Sequence, residues 1–215
     1  MEPERRTDTA ATWLWRGYLA LGLVLIVGYY SPILPAVRSL LYDWFAVSAV
    51  IAIVVGIVRY RPASPACWWL LALGVAMMAA GDLAWEFYER ALGIEAPFPS
   101  IADALYLGGY PILTAALLGL SHRRSRGSER GLLIDGAIIG ISYGVAAWFF
   151  FLEPSMRDPS YPLVERLISA AYPGMDVLVV AAAALVLLTP GARSPAFAFL
   201  TGGVAIYIAA DIFYA

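Results

Sequence analysis

Residues 67–88 have the sequence CWWLLALGVAMMAAGDLAWEFY, and this stretch decides the fold class. Residues 67–81 carry no charged side chain, and a run of roughly 20 apolar residues is long enough to cross a bilayer as a helix. Acidic residues enter only near the end of the stretch, at Asp82 and Glu86. The pattern therefore predicts a transmembrane helix that carries carboxylates toward one of its ends.

Stretches of the same kind recur along the whole chain. Of its 215 residues, 61% are hydrophobic and 14% are charged, whereas about a quarter of the residues in a soluble domain are charged. We predict an all-α polytopic membrane protein with about seven transmembrane helices, forming a single transmembrane domain over residues 1–215. The predicted spans are residues 12–30, 40–58, 67–88, 100–120, 132–152, 173–188 and 195–215.

The segment before the sixth span is expected to lie at the membrane surface. Residues 154–172 are too polar to cross, and their later part, 163–171, is predicted to form a short interfacial helix. Pro173 would then begin the sixth span at its first turn, where a missing N–H costs nothing.

Arginines predict the orientation of the spans. Basic residues in short loops resist translocation and therefore stay in the cytoplasm. With the N-terminus in the cytoplasm, ten of the fourteen basic residues fall inside, and only Arg38, Arg90, Arg157 and Arg166 fall outside. The opposite orientation would invert this bias, so we predict a cytoplasmic N-terminus.

The acidic residues are distributed the other way, with eleven of sixteen in outer loops or outer helix halves. Several share a helix face with an aromatic residue, because positions three, four and seven apart lie on one face. An ionised carboxylate in hydrocarbon costs about 2.5–3.5 kcal/mol even on a lenient scale, so it normally faces the bundle interior or a wet cavity. We predict an outward-facing ligand-binding pocket formed by Asp82, Trp85, Glu86, Asp103, Tyr106, Tyr110, Tyr172, Asp176, Asp211 and Tyr214.

A simpler interpretation of the same residues stays open. Tyrosine and tryptophan are enriched at membrane interfaces, and acids at the outer ends of helices can simply be solvated. Asp103 and Asp176 also occupy predicted first turns, where a carboxylate interacts favourably with the helix dipole.

Glycines and prolines mark two further spans. The motif Gly108-Gly109-Tyr110-Pro111 predicts a kink in the fourth span, because Pro111 removes a helical hydrogen bond. Gly136, Gly140 and Gly144 recur at intervals of four in the fifth span. Small residues at this spacing let a second helix approach closely, so these three are predicted to form a helix-packing seam.

An internal repeat is one interpretation of the chain, and chance similarity between apolar segments is the other. Residues 71–85 and 200–214 align without gaps, with six of fifteen positions identical, including Asp82 and Asp211. Residues 98–103 and 172–176 share a proline followed by an aspartate. The repeating unit would be a helical hairpin, with the seventh span as the first half of another. The chain is therefore expected to be a fragment of a longer protein.

Composition removes several kinds of chemistry. Cys67 and His122 are the only cysteine and histidine, which excludes His-based metal sites and a Ser-His-Asp triad within one chain. We identify no catalytic residue, no metal ligand set and no nucleotide motif. The nature of any cofactor is left unknown, and no nucleic-acid partner is expected.

Three segments carry a resemblance to a known family: residues 81–88 (GDLAWEFY), 97–111 (PFPSIADALYLGGYP) and 171–176 (AYPGMD). They resemble the multi-spanning N-terminal membrane region of actinobacterial cyclic-di-GMP signalling proteins, in which the helices precede a GGDEF and often an EAL domain. The resemblance covers residues 68–215 and implies a membrane-embedded input domain for diguanylate cyclase or phosphodiesterase output. This chain contains neither a GGDEF nor an EAL segment, so no catalytic domain is visible in it.

The favoured hypothesis is accordingly a sensory domain in a bacterial plasma membrane. It would perceive a ligand, an ion or a membrane state at the acidic and aromatic pocket and control a cytoplasmic output. The alternatives are a small intramembrane lipid-modifying enzyme, with Asp82, Asp103 and Asp176 as acid–base candidates, or a transporter that uses the same acids for protons or cations. Expected partners are the lipid bilayer, a small ligand or cation, and a second copy of the chain.

Overall fold

The computed structural model describes residues 9–30, 38–123, 129–189 and 195–214, and these ranges contain helices and short connections but no strand. The helices are α1 (Thr9–Tyr30), α2 (Arg38–Tyr60), α3 (Pro65–Glu86), α4 (Ile101–His122), α5 (Glu129–Ala147), α6 (Glu153–Arg157), α7 (Leu163–Leu188) and α8 (Pro195–Tyr214). A π-helical turn, Phe87–Ala91, extends α3, and a second one, Trp148–Leu152, joins α5 to α6.

Among the residues that the structure describes, five helical segments are long and apolar enough to cross a membrane. They are Leu40–Tyr60, Pro65–Ala91, Ile101–His122, Gly131–Arg157 and Leu163–Leu188. Within the predicted first and seventh spans, the described residues contain shorter apolar helices, Trp15–Tyr30 and Ala198–Tyr207. The prediction of a helical membrane protein is confirmed at this level, while the number of seven spans and the orientation stay predictions.

The chain divides into two compact units, residues 1–49 and residues 50–215. In the first unit, α1 contacts the beginning of α2 through Tyr18. Its hydroxyl lies 3.1 Å from the Ser48 hydroxyl, and its ring lies 6.4 Å from the Trp44 ring.

In the second unit, α4 lies between α3 and α7, and α5 packs on another side of α7. Leu117 of α4 and Val186 of α7 are fully buried and belong to the hydrophobic core of this unit. The helices α3 and α4 run antiparallel, because Cys67 near the start of α3 meets Gly119 near the end of α4. At the other end of the pair, Gly81 meets Tyr106.

The sixth predicted span differs from the structure. The prediction of an interfacial helix at 163–171 and a new span beginning at Pro173 is wrong, because α7 is one continuous helix, Leu163–Leu188, with Pro173 inside it. A proline removes a single N–H donor, and the preceding leucine, glutamate, arginine and alanine residues favour helix. As a consequence Tyr172 and Asp176 lie within a long helix and not at its head.

Pro111 and Pro99 also occupy different settings. Pro111 lies inside α4, which is not interrupted there. Pro99 precedes Ser100, the N-cap of α4, after a cis peptide bond. Because Pro99 lies before a helix and Pro173 lies inside one, the two proline–aspartate motifs do not begin equivalent helices.

Candidate functional site

Tyrosine and aspartate side chains connect four helices near one end of the α3–α4 pair. We call these residues the tyrosine–aspartate network. Its members are Asp82 on α3, Asp103, Tyr106 and Tyr110 on α4, Tyr172 and Asp176 on α7, and Tyr207 on α8.

Asp103 is the most buried carboxylate of the network, with 6% of its surface exposed. Its Oδ2 accepts hydrogen bonds from the Ser100 backbone N–H (2.7 Å) and the Ser100 hydroxyl (3.1 Å). Its Oδ1 accepts a hydrogen bond from the Tyr172 hydroxyl of α7 at 2.6 Å. Ser100 and Asp103 form a capping box, so one carboxylate both closes the first turn of α4 and binds α4 to α7.

Asp82 and Gly81 together hold a tyrosine of the neighbouring helix. The Tyr106 hydroxyl donates to Asp82 Oδ1 at 2.7 Å. The Tyr106 ring passes so close to α3 that a Cβ on Gly81 would lie 2.6 Å from its Cε1 atom. The absence of a side chain at Gly81 is therefore what admits the ring beside Asp82.

Tyr110 is the point at which α4, α7 and α8 meet. The Tyr207 hydroxyl of α8 donates to the Tyr110 hydroxyl at 3.1 Å. The Tyr110 hydroxyl also lies near the Asp176 carboxylate of α7. Its ring meets the Tyr172 ring edge to face, with 6.4 Å between centroids. The aromatic contact thus joins the Asp103 and Asp176 parts of the network.

Trp85 and Glu86 of α3 each bind a side chain four residues later, in the π-helical turn that extends this helix. The Trp85 indole N–H donates to Glu89 Oε1 at 2.9 Å, and the Arg90 guanidinium pairs with the Glu86 carboxylate. Glu86 therefore has a basic partner one turn away on its own helix.

The predicted site residues accordingly fall into three groups. The structure brings Asp82, Asp103, Tyr106, Tyr110, Tyr172 and Asp176 together, and it places Trp85 and Glu86 in separate contacts on α3 and its π-helical turn. Asp211 and Tyr214 lie outside the residues whose side chains are described. The aromatic partners of the aspartates come from neighbouring helices, whereas the sequence pattern had paired them within one helix.

Sequence reasoning missed three residues of this region: Ser100, Gly81 and Tyr207. Ser100 could have been found, because a serine three residues before an acid and ahead of an apolar run is a capping-box pattern. Gly81 gave no local signal, and Tyr207 gave only its spacing of four residues from Asp211 on one helix face. The roles of both depend on which helices are neighbours.

The three seam glycines lie against α7. A Cβ on Gly136 would lie 2.6 Å from Leu185 Cδ2, one on Gly140 would lie 2.9 Å from the Ala181 Cβ, and one on Gly144 would lie 3.5 Å from Val177. An apolar groove of about 520 Å³ follows this seam, and its lining is Ala137, Gly140, Ile141, Gly144, Val145, Trp148, Phe149, Val177, Leu178 and Ala181. The groove is separate from the tyrosine–aspartate network and contains no carboxylate.

Two further observations concern charge and metal binding. In the connection between α6 and α7, hydrogen bonds from Ser160 hold the pKa of Asp158 below its usual value, and the nearby charge of Arg166 acts in the same direction. Among the residues that the structure describes, no cluster of three or more histidine, cysteine or acidic side chains is placed to hold a metal ion.

Comparison of the chain with models of protein families, with curated proteins and with solved structures gives no match. The resemblance to cyclic-di-GMP signalling proteins therefore rests on the sequence motifs alone. Chemically, the network offers carboxylates, which can accept hydrogen bonds, bind a proton or attract a cation, and phenols, which can donate and accept hydrogen bonds.

Proposed function

We propose that this chain is the membrane-embedded sensory domain of a bacterial signalling protein, and that the tyrosine–aspartate network is the part that responds to the stimulus. One observation carries the proposal. The hydroxyls of Tyr106, Tyr172 and Tyr207 each donate a hydrogen bond to a residue on a helix other than their own. A ligand or ion that changes one of these bonds therefore changes how two helices pack.

Transmission through the domain follows from the contact between α3 and α4. This contact begins at the network, where Gly81 meets Tyr106, and continues to the opposite end, where Cys67 meets Gly119. Cys67 and Asp82 are fifteen residues apart on one helix, which corresponds to about 22 Å along its axis. A shift of α4 against α3 would therefore be felt at the end that the arginines predict to be cytoplasmic.

The output is proposed from the sequence resemblance. The cytoplasmic end would act on a domain that makes or degrades cyclic-di-GMP. A lipid-modifying enzyme would use the same carboxylates without needing the far end of α3 and α4 to move. A proton- or cation-coupled transporter would also use them, and it is distinguished by net flux across the membrane.

Cys67 provides a native probe for the proposed movement, because its thiol is buried against α4 and is the only one in the chain. The full chain in proteoliposomes is exposed to a range of external pH and to monovalent and divalent cations, and alkylation of Cys67 by a permeant maleimide is timed. We expect one stimulus to change the alkylation rate by at least about fivefold, the lower limit of typical coupling between sites.

Variants connect this response to the network. Tyr106→Phe removes the hydroxyl that binds Asp82 and should abolish the response, whereas Tyr161→Phe alters an exposed tyrosine of the α6–α7 connection and should preserve it. Net ion flux under the stimulus would favour the transporter, and turnover of added lipid would favour the enzyme. If no condition alters the Cys67 rate, the sensory proposal fails.

A further inference from the structure

The connection between α3 and α4 exposes a run of large apolar side chains. Phe87 is 57% exposed, Leu92 50%, Ile94 51%, Phe98 40% and Ile101 61%. The first and last of these belong to the ends of two helices that are able to span a membrane, and the other three lie between them. We call residues 87–101 the apolar connection.

The apolar connection has a defined conformation. Gly93 adopts a φ of +64°, a left-handed conformation that side chains rarely tolerate. This turn lets the Ile94 N–H donate to the Tyr88 carbonyl at 3.2 Å, and the Leu92 N–H donates to the Phe87 carbonyl at the same distance. Ala96 points inward and is buried, whereas Ile94 and Phe98 on either side of it are exposed. The exposed apolar side chains are therefore held outward by the fold.

The lengths of the flanking helices fix the depth of the connection. The span Ile101–His122 has 22 residues, and its length of about 33 Å matches the hydrocarbon thickness of a bilayer, roughly 30 Å. The residue at its start thus lies at the boundary between acyl chains and headgroups. Phe98 precedes this boundary by three residues, and the exposed apolar surface of α3 continues through Leu83 and Phe87. The connection is continuous with the lipid-facing surface of two spans.

We propose that the apolar connection rests on the lipid bilayer, with Leu92, Ile94 and Phe98 inserted between headgroups and acyl chains. The contact is apolar in nature. The charged side chains of the connection are Glu89, Arg90 and Glu95, and the Arg90 guanidinium already pairs with Glu86 of α3. The net charge of the apolar connection is therefore negative, so attraction to anionic headgroups does not contribute to its contact with the bilayer. The proposal holds whether or not the chain is a sensor.

Depth-dependent fluorescence quenching tests the inference on the full chain. Ile94→Cys, Phe98→Cys and Leu92→Cys are made separately in a Cys67→Ala background, labelled with an environment-sensitive fluorophore and reconstituted in lipid nanodiscs. We expect each label to be quenched by lipids that carry a nitroxide near the headgroup, and to be several-fold less accessible to aqueous iodide than a label at Glu95→Cys. Glu95 is the matched control, since it is an exposed polar residue of the same connection.

Lipid composition provides the second arm of the test. Quenching at Ile94 and Phe98 should not rise when the fraction of anionic lipid is increased, because the contact is apolar. Three separate positions keep the result informative if one labelled variant fails to fold. Iodide quenching as strong at Ile94 and Phe98 as at Glu95 would place the connection in water, and quenching by nitroxide lipid only in anionic nanodiscs would show headgroup attraction. Either result overturns the proposal.

Discussion

At Asp103, one carboxylate closes a helix and joins it to a neighbour. Asparagine at this position would keep one acceptor oxygen but would turn its NH₂ group toward either the Ser100 N–H, which only donates, or the Tyr172 hydroxyl, which would then have to accept instead of donating to a carboxylate. We expect Asp103→Asn to lower the free energy of unfolding by about 2 kcal/mol, within the range for hydrogen bonds to charged groups. Reversible unfolding in mixed detergent micelles measures this loss.

A double-mutant cycle of Asp103→Asn and Tyr172→Phe isolates the contribution of the hydrogen bond between α4 and α7. Tyr172→Phe should cost about 1 kcal/mol, because Asp103 keeps both bonds from Ser100. The two losses should not add, since both variants remove the same bond. Tyr161→Phe, at an exposed tyrosine, controls for loss of a hydroxyl, and additive losses would mean that the bond between α4 and α7 contributes nothing.

At the scale of the helix, the three glycines of α5 that lie against α7 differ in the atom that an added Cβ would meet. A Cβ on Gly140 would meet the Cβ of Ala181, which cannot move without its helix, whereas one on Gly136 would meet the flexible end of Leu185. One on Gly144 would be at ordinary van der Waals distance from Val177. We expect Gly140→Ala to cost about 1–3 kcal/mol through overpacking, Gly136→Ala less, and Gly144→Ala nothing.

Unfolding of these three single variants in the same detergent system checks the order. Gly144→Ala serves as the internal control, because it makes the same chemical change on the same helix. Equal gains in stability at all three positions would show that the higher helix propensity of alanine, and not the approach of α7, determines the effect.

The element scale also shows what sequence could predict. The lengths of the apolar runs were sufficient to place helices at 40–58, 67–88, 100–120 and 132–152, close to α2, α3, α4 and α5. The beginning of α7 was wrong, because a proline was given more weight than the helix-favouring residues before it. The pairing of Asp103 with Tyr172 lay beyond sequence reasoning, since 69 residues separate them and no local spacing reports which helices touch.

At the scale of the whole molecule, the two ends of the α3–α4 pair carry different side chains. Arg59 and Arg61 lie just before α3, at the Cys67 end, whereas Asp82 and Asp103 lie at the opposite end. The retention of basic residues in the cytoplasm predicts that the Cys67 end faces inward and the network end outward. This orientation is what would let an external stimulus reach the network and an internal output read α3.

Single cysteines test the orientation in a Cys67→Ala background. Ala63→Cys lies in the exposed connection before α3, and Pro159→Cys lies in the exposed connection between α6 and α7. In intact cells, a membrane-impermeant maleimide should label Pro159→Cys and leave Ala63→Cys unlabelled until the membrane is permeabilised. Both positions are exposed in the fold, so a difference in labelling reports sidedness and not burial. The reverse pattern would place the network in the cytoplasm, and a sensor of external stimuli could then not use it.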